Sequence, residues 1–188
     1  MNNTAEKTDH IINGVDTEIL GNLAANVSGD ENYGKFKFRS TNQWITGTRS
    51  RSSIQGFYAG GKEITERVEP LYVDADQPPF FYGQNTAPNP MEYLLHTLNS
   101  CLSFTLVSHA SVQGIHLDDV ETSSEGDMDA RGLFGISEDV NKGYSRIRVN
   151  MRVKSDADVD TLTGMAMFSP VYDVISRGIP VDFTLTKI

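Results

Sequence analysis

The single cysteine of this chain, Cys101, is the residue with the most reactive chemistry. A cysteine attacks electrophiles and peroxides as a thiolate, so its function depends on what lowers its pKa from about 8.5. A helix N-terminus or a nearby cation has this effect. Cys101 lies about three turns into a helix predicted to run from Asn89 to Val112, beyond the reach of the terminal dipole. An activating charge must therefore come from another segment or another subunit.

The same helix also offers a structural explanation for Cys101. At 100° per residue, Leu94, Leu98, Thr105 and Val112 fall within about 60° of it, so the thiol is predicted to point inward. A cysteine on the apolar face of a helix is usually a small buried hydrophobe. A redox nucleophile and a packing residue are both open interpretations.

Two arginines are the candidate cations. Arg49 and Arg51 lie in the stretch GTRSRSS, which is predicted to be a strand, and alternation places both side chains on one face. Two interpretations are open: one of these arginines reaches the thiol, or both are ordinary surface charges.

Three aromatic residues, Phe80, Phe81 and Tyr82, follow two prolines in the loop before the helix. Two interpretations are open for them. They either pack the loop against the protein or line an apolar pocket over Cys101, because substrate pockets are mostly apolar clefts.

Metal and cofactor sites lack support in the sequence. The alternating carboxylates Glu125, Asp127 and Asp129 do not complete a calcium-binding set, so a solvated turn is predicted, and Asp74 and Asp76 are interpreted in the same way. The four histidines do not show paired zinc-ligand spacing, and the chain contains no GxGxxG, P-loop or GxSxG motif. We therefore predict neither a metal nor a cofactor.

Composition limits the partners and the compartment. With 188 residues and a net charge of −9, the chain is predicted to avoid nucleic acids and anionic membranes, which leaves small molecules and proteins as partners. Its amino terminus has no secretory signal, and a single cysteine cannot form an internal disulfide. A cytoplasmic protein is predicted.

The elements that must position these residues can be predicted from periodicity. Helical spacing from Val15 to Val27 indicates an arm in residues 1–34, followed by a single domain in residues 35–188. Strands follow, with a Gly60-Gly61 hairpin, and then the long helix. Its start combines Asn89 as N-cap, Pro90, and Glu92, which completes a capping box.

The C-terminal half is predicted to contain a strand pair, two short helices and a closing strand. In YSRIRVNMRVKSD apolar residues alternate with arginines, which indicates one solvated face. Ser169 is the predicted N-cap of the second helix, and IPVDFTLTKI alternates like a strand. The fold class is α+β, with helices packed on antiparallel sheets.

Four stretches together resemble the OsmC/organic hydroperoxide resistance superfamily. They are NPMEYLLHTLNSCLSFTL, GIHLDDVETSSEGDMDARG, YSRIRVNMRVKSDAD and SPVYDVISRGIPVDFTL. The resemblance implies an OsmC-like fold with a long central helix and an intertwined homodimer with sites at its interface. For peroxidase members it also implies a peroxidatic thiolate held charged by an Arg and a Glu and resolved by a second cysteine.

Cys101 matches the peroxidatic position, but two other positions depart from the pattern. Ser169 stands where the resolving cysteine is expected, and Met91 stands where the family has its catalytic Glu. Glu92 points away from Cys101 on the predicted helix and is interpreted as a capping residue. Met91 and Ser169 join the aromatic residues as candidate substrate contacts.

Two functions follow from this pattern. The first is a thiol-dependent reductase of organic hydroperoxides that uses Cys101 and an external resolving thiol. The second is a noncatalytic member of the fold that binds an apolar small molecule at the dimer interface.

Overall fold

The computed structural model describes residues 10–187 and divides the chain into two compact units. The first unit is Asp16–Leu94, and the second contains the described residues before Asp16 together with those from Leu95 onward. The elements are, in chain order, β1 (Ile11–Ile12), β2 (Val15–Asp16), α1 (Thr17–Gly29), β3 (Thr41–Thr46), β4 (Arg49–Ile54), β5 (Phe57–Ala59), β6 (Lys62–Ile64), β7 (Leu71–Ala75), a 3₁₀ turn (Pro79–Phe81), α2 (Pro90–Val112), β8 (Asp119–Met128), α3 (Ala130–Leu133), β9 (Tyr144–Lys154), α4 (Val159–Ala166) and α5 (Pro170–Arg177).

The first unit is built on an antiparallel sheet with the strand order β3-β4-β7. Its register places four apolar side chains on one face, namely Trp44, Ile54, Leu71 and Val73. None of these is buried, and Asp76 is the only buried residue of Asp16–Leu94. The first unit therefore has no hydrophobic core of its own.

The second unit contains the hydrophobic core of the described chain. One stripe of α2 packs against α4, and the core residues are Leu98, Leu102, Leu106, Ala110, Leu162, Met165 and Ala166. The β8–β9 hairpin covers this core with partly buried side chains such as Val120, Ile147 and Met151. Its other face is charged, and Arg148 bridges Glu125 and Asp127 there.

Most predicted elements are present. The α+β class is confirmed, α2 begins at Pro90 and ends before Gly114, and Gly60 and Gly61 form the predicted hairpin turn with positive φ angles. Among residues 10–187, the helices are all too short or too polar to span a membrane.

Two predictions of secondary structure are wrong. The acidic stretch is not a solvated turn, because Glu125 and Asp127 lie within β8 and pair with Arg148, while Asp129 caps α3. Residues 179–187 alternate like a strand but belong to no sheet, because a strand also needs a neighbouring edge to bond with.

Candidate functional site

The start of α2 is fixed by the predicted capping box. The Asn89 side chain accepts hydrogen bonds from the N–H groups of Met91 and Glu92 at 2.9 and 3.0 Å, and Glu92 accepts one from the Asn89 N–H at 2.8 Å. Glu92 is therefore a capping residue, as predicted. Met91 is partly buried in the first turn of the helix.

Cys101 lies at the border of the buried stripe of α2 and is partly buried. The prediction that Cys101 lies on an inward-facing side of the helix is only partly correct. Of the residues predicted to share that side, Leu98 and Thr105 are buried, whereas Val112 is 55% exposed. The core stripe is centred on Leu102, one residue and about 100° away from Cys101, because that is the side on which α4 packs. Solvent can therefore reach the thiol side of the helix.

The residues one turn from Cys101 on α2 carry no charge. Within residues 95–187 its sulfur has neither a hydrogen bond nor an ion pair. Phe104, one turn further along α2, is exposed, and Leu98, one turn before, belongs to the core. The helix itself supplies no cation to the thiol.

Arg51 has a carboxylate partner that the sequence did not predict. Its Nε and Nη2 donate to the two carboxylate oxygens of Asp74 at 2.6 and 2.8 Å, and its guanidinium lies 5.6 Å from the centre of the Tyr72 ring. The hydrogen bonds raise the pKa of Arg51 and lower that of Asp74. Arg49 has no ion pair within residues 10–187. Both arginines belong to the first unit and Cys101 to the second, so a role beside the thiol stays a prediction.

Asp76 is the residue of this region that the sequence misassigned. It was predicted to be solvated, but it is 1% exposed and accepts five hydrogen bonds. The donors and their distances are Thr48 Oγ1 at 2.7 Å, Gln77 N at 2.8 Å, Gln84 N at 3.2 Å, Thr86 N at 3.0 Å and Thr86 Oγ1 at 2.9 Å. These bonds hold the pKa of Asp76 well below its usual range, with the Thr48 hydroxyl as the largest cause. The buried carboxylate thereby closes the loop that precedes α2.

The three aromatic residues of that loop have different environments. Phe80 and Tyr82 are 84% and 91% exposed, so they do not pack the loop down within the described chain. Phe81 is partly buried and meets Phe80 edge to face at 5.1 Å between ring centres. Lining a pocket over Cys101 stays a prediction for all three.

Gly83 is required by the closed loop. A Cβ atom at this position would overlap the backbone carbonyl oxygen of Gln77, which a side-chain rotation cannot relieve. We expect Gly83→Ala to lower the melting temperature by roughly 5 °C or more, measured by circular dichroism. Gly21→Ala in α1 is the matched control, because a Cβ there meets open space, and its melting temperature should stay level or rise slightly. Equal melting temperatures for the two variants would contradict the rigid-loop interpretation.

Ser169 is fully buried at the N-terminus of α5. Its hydroxyl accepts the N–H of Tyr172 at 3.2 Å, so the predicted N-cap is confirmed. A role in substrate contact stays a prediction.

An apolar cavity of about 370 Å³ opens in the second unit beside Leu102, the neighbour of Cys101 in α2. Apolar residues of β9 and α4 line it, with Thr163 of α4 and Tyr172 of α5 as polar members. Its volume falls in the range of small-molecule pockets.

A polar contact between α2 and β8 was not anticipated. The Ser103 and Thr122 hydroxyls are 2.8 Å apart, whereas the buried Asn99 Oδ1 and Ser124 Oγ atoms have no partner within the described residues. Ser103 on α2 therefore faces the hairpin, which the hydrophobic pattern of the helix could not indicate. Among residues 10–187, no cluster of three or more His, Cys, Asp or Glu side chains is placed to hold a metal ion.

The family model described as OsmC-like protein matches residues 83–184, which include α2, Cys101, the hairpin and the helices that form the core. The chain belongs to the OsmC-like family. No curated protein sequence is significantly similar to it.

Solved structures share the fold of this OsmC-like chain. An OsmC-like protein from Mycoplasma pneumoniae has a TM-score of 0.56 at 14% identity and covers 75% of this chain and 88% of its own. An OsmC-like protein of unknown function from Vibrio cholerae has a TM-score of 0.55 at 10% identity, and the match covers 76% of this chain and 93% of the Vibrio chain. A Psychrobacter arcticus protein, named for osmotic stress induction and a detoxification response, has a TM-score of 0.54 at 16% identity. The match covers 74% of this chain and 88% of the Psychrobacter chain.

Proposed function

We propose that this OsmC-like protein reduces organic hydroperoxides through Cys101 and an external thiol. The observation that carries the proposal is the partly buried thiol at the core border of α2, in the helix that the family model matches. The name of the Psychrobacter arcticus structure, which includes a detoxification response, is in line with this chemistry.

The proposed reaction has three balanced steps. The Cys101 thiolate attacks the distal peroxide oxygen and the O–O bond breaks, which gives a cysteine sulfenic acid and an alkoxide that takes a proton from water to become the alcohol. A small thiol then attacks the sulfenic sulfur, which forms a mixed disulfide and releases water. A second thiol molecule reduces that disulfide, so Cys101 is regenerated and the reductant leaves as its own disulfide.

An external thiol is needed because the chain offers no second sulfhydryl. Cys101 is its only cysteine, and the residue at the expected resolving position, Ser169, is buried and caps α5. The proposed activating cation is Arg49 or Arg51. Arg49 is the better candidate of the two, because Arg51 is already neutralised by Asp74.

We also propose that the protein works as a homodimer. The first unit has no buried hydrophobic side chain, although one face of its sheet carries Trp44, Ile54, Leu71 and Val73. A covering surface from a second copy would bury this face.

The first test is direct detection of the sulfenic acid. We expect one equivalent of cumene hydroperoxide to add one oxygen atom to Cys101, seen by intact mass and by a dimedone adduct, because oxygen transfer is the first step. Adding a small thiol should convert this species to a mixed disulfide. An unmodified Cys101 after treatment with excess hydroperoxide would contradict the proposal.

The apolar cavity beside Leu102 favours a second candidate function, the binding of an apolar small molecule without catalysis. In that case Cys101 would resist oxidation while an apolar dye such as ANS binds in the cavity. Thr163→Trp, which would fill the cavity, should then remove dye binding and leave the thiol unaffected.

A further inference from the structure

The turn between β1 and β2 places one asparagine side chain against the end of α2. Asn13 has a φ of 51° and Gly14 a φ of 78°, as expected for an Asn-Gly pair at the tip of a hairpin with a two-residue connection. β1 and β2 contain two residues each, so their own pairing is too short to hold the hairpin in place. The contacts of Asn13 therefore contribute to its position.

The Asn13 amide binds the segment of chain that leaves α2. Its Nδ2 donates to the Ile115 carbonyl oxygen at 2.9 Å, and its Oδ1 accepts from the Leu117 N–H at 2.9 Å. Backbone groups of this kind normally pair with another peptide group, and here the side-chain amide takes that place. Asn13 thus uses both a donor and an acceptor of its side chain.

A further bond joins the same amide to a buried hydroxyl of α2. Asn13 Nδ2 also donates to Ser111 Oγ at 3.1 Å, and Ser111 is 1% exposed. The Ser111 hydroxyl itself donates to the carbonyl oxygens of Ile12 and Val107, at 2.9 and 2.7 Å. Its proton is committed to these acceptors, so the bond to Asn13 depends on the amide N–H. We call the contacts of Asn13 with Ser111, Ile115 and Leu117 the N-terminal latch.

The residue that makes the N-terminal latch is also chemically labile. Asn13–Gly14 is the only Asn-Gly pair of the chain, and glycine has no Cβ to shield its backbone nitrogen. This nitrogen can attack Cγ of Asn13. A bond from the glycine nitrogen to Cγ forms, the bond from Cγ to Nδ2 breaks, and ammonia leaves with the proton of the glycine nitrogen. Water then opens the cyclic imide to aspartate or isoaspartate, so the change requires neither an oxidant nor a reductant.

We propose that Asn13 is a site of spontaneous deamidation and that its conversion to aspartate opens the N-terminal latch irreversibly. In the closed latch, three hydrogen bonds hold the amide and protect it. Each transient opening of the hairpin frees the amide for attack by the Gly14 nitrogen. The resulting carboxylate has acceptors but no donor, so it meets the oxygen atoms of Ile115 and Ser111 without a proton to share. The latch then cannot close as before.

The modification acts on the helix that carries Cys101. Ser111 lies in the last turn of α2, about three turns beyond the thiol, and opening of the latch frees residues 11–15 from that end of the helix. Because of this separation, the proposal does not rest on the peroxidase function.

The first test follows the modification itself. The full chain would be incubated at mildly alkaline pH, in buffer and in urea, and the peptide that contains Asn13 analysed by mass spectrometry. We expect a mass increase of one dalton that develops at least tenfold faster in urea, where the latch is open. Asn22, which is exposed and followed by leucine, is the internal control and should stay unmodified. An unchanged Asn13 in urea would overturn the deamidation site, and equal rates in buffer and urea would overturn the protection by the latch.

The second test introduces the product directly. Asn13→Asp keeps the size of the side chain and replaces its donor by a charged acceptor. We expect backbone hydrogen exchange in residues 11–15 and at the Leu117 N–H to become at least tenfold faster than in the parent. Asn22→Asp makes the same chemical change at an exposed position of α1 and should alter this exchange less than twofold. If Asn13→Asp exchanges at the rate of the parent, the latch does not depend on the amide and the proposal is wrong.

Discussion

Cys101→Ser is expected to abolish hydroperoxide-dependent oxidation of an added thiol, with a loss of at least 100-fold in rate. A hydroxyl is a far weaker nucleophile than a thiolate and cannot form a stable sulfenic acid, so no intermediate remains for the reductant to attack. The rate would be measured as consumption of cumene hydroperoxide with a small dithiol as reductant.

The matched control for this variant is Ser100→Ala. Ser100 is the exposed neighbour of Cys101 on α2, so the change tests whether any disturbance of that helix lowers the rate. We expect its rate to stay within about twofold of the parent, because alanine is a good helix former. If Cys101→Ser reacts as fast as the parent, the peroxidase proposal is wrong and the ligand-binding function becomes the better one.

Asp76→Ala is expected to lower the melting temperature by roughly 5–10 °C, because donors around a buried carboxylate lose their acceptor. The backbone N–H groups of Gln77, Gln84 and Thr86 would lose their hydrogen-bond acceptor. Asp139→Ala, at an exposed carboxylate, is the control and should change the melting temperature by less than about 2 °C. A similar small effect for both variants would contradict the closed-loop description.

The parent protein and Asp76→Ala also give a pH test. Folding lowers the pKa of Asp76, so the unfolded chain takes up a proton first as the pH falls. The stabilisation is therefore full above about pH 5 and is lost progressively as the pH falls below the unfolded value of about 4. We expect the difference in melting temperature between parent and Asp76→Ala to be larger at pH 7 than at pH 3. A difference that grows on acidification would contradict this assignment.

Local signals predicted the local features well. Asn89 and Glu92 are close in sequence and form the predicted capping box next to Pro90. Ser169 likewise forms the predicted N-cap of α5. The alternation in β9 also predicted which of its faces is charged.

The errors concern features that depend on distant residues. Asp76 is buried because Thr48, 28 residues earlier, and Thr86, ten residues later, bring hydroxyls to it, and no local pattern joins these three positions. The orientation of Cys101 depends on which stripe of α2 the later helix α4 covers. The prediction of a closing strand is wrong for a related reason. Alternation describes a single strand and gives no information about the neighbouring strand with which it must pair.

The charged face of the β8–β9 hairpin has a consequence for how this protein behaves when crowded. All four charged residues of β8 are acidic and all four of β9 are basic, and the register sets Glu121 opposite Arg152 and Glu125 opposite Arg148. Two β8 strands from different molecules would bring carboxylates together, and two β9 strands would bring guanidinium groups together. The hairpin thus discourages like-with-like stacking into fibrils, even though both of its outer edges lie open among the described residues.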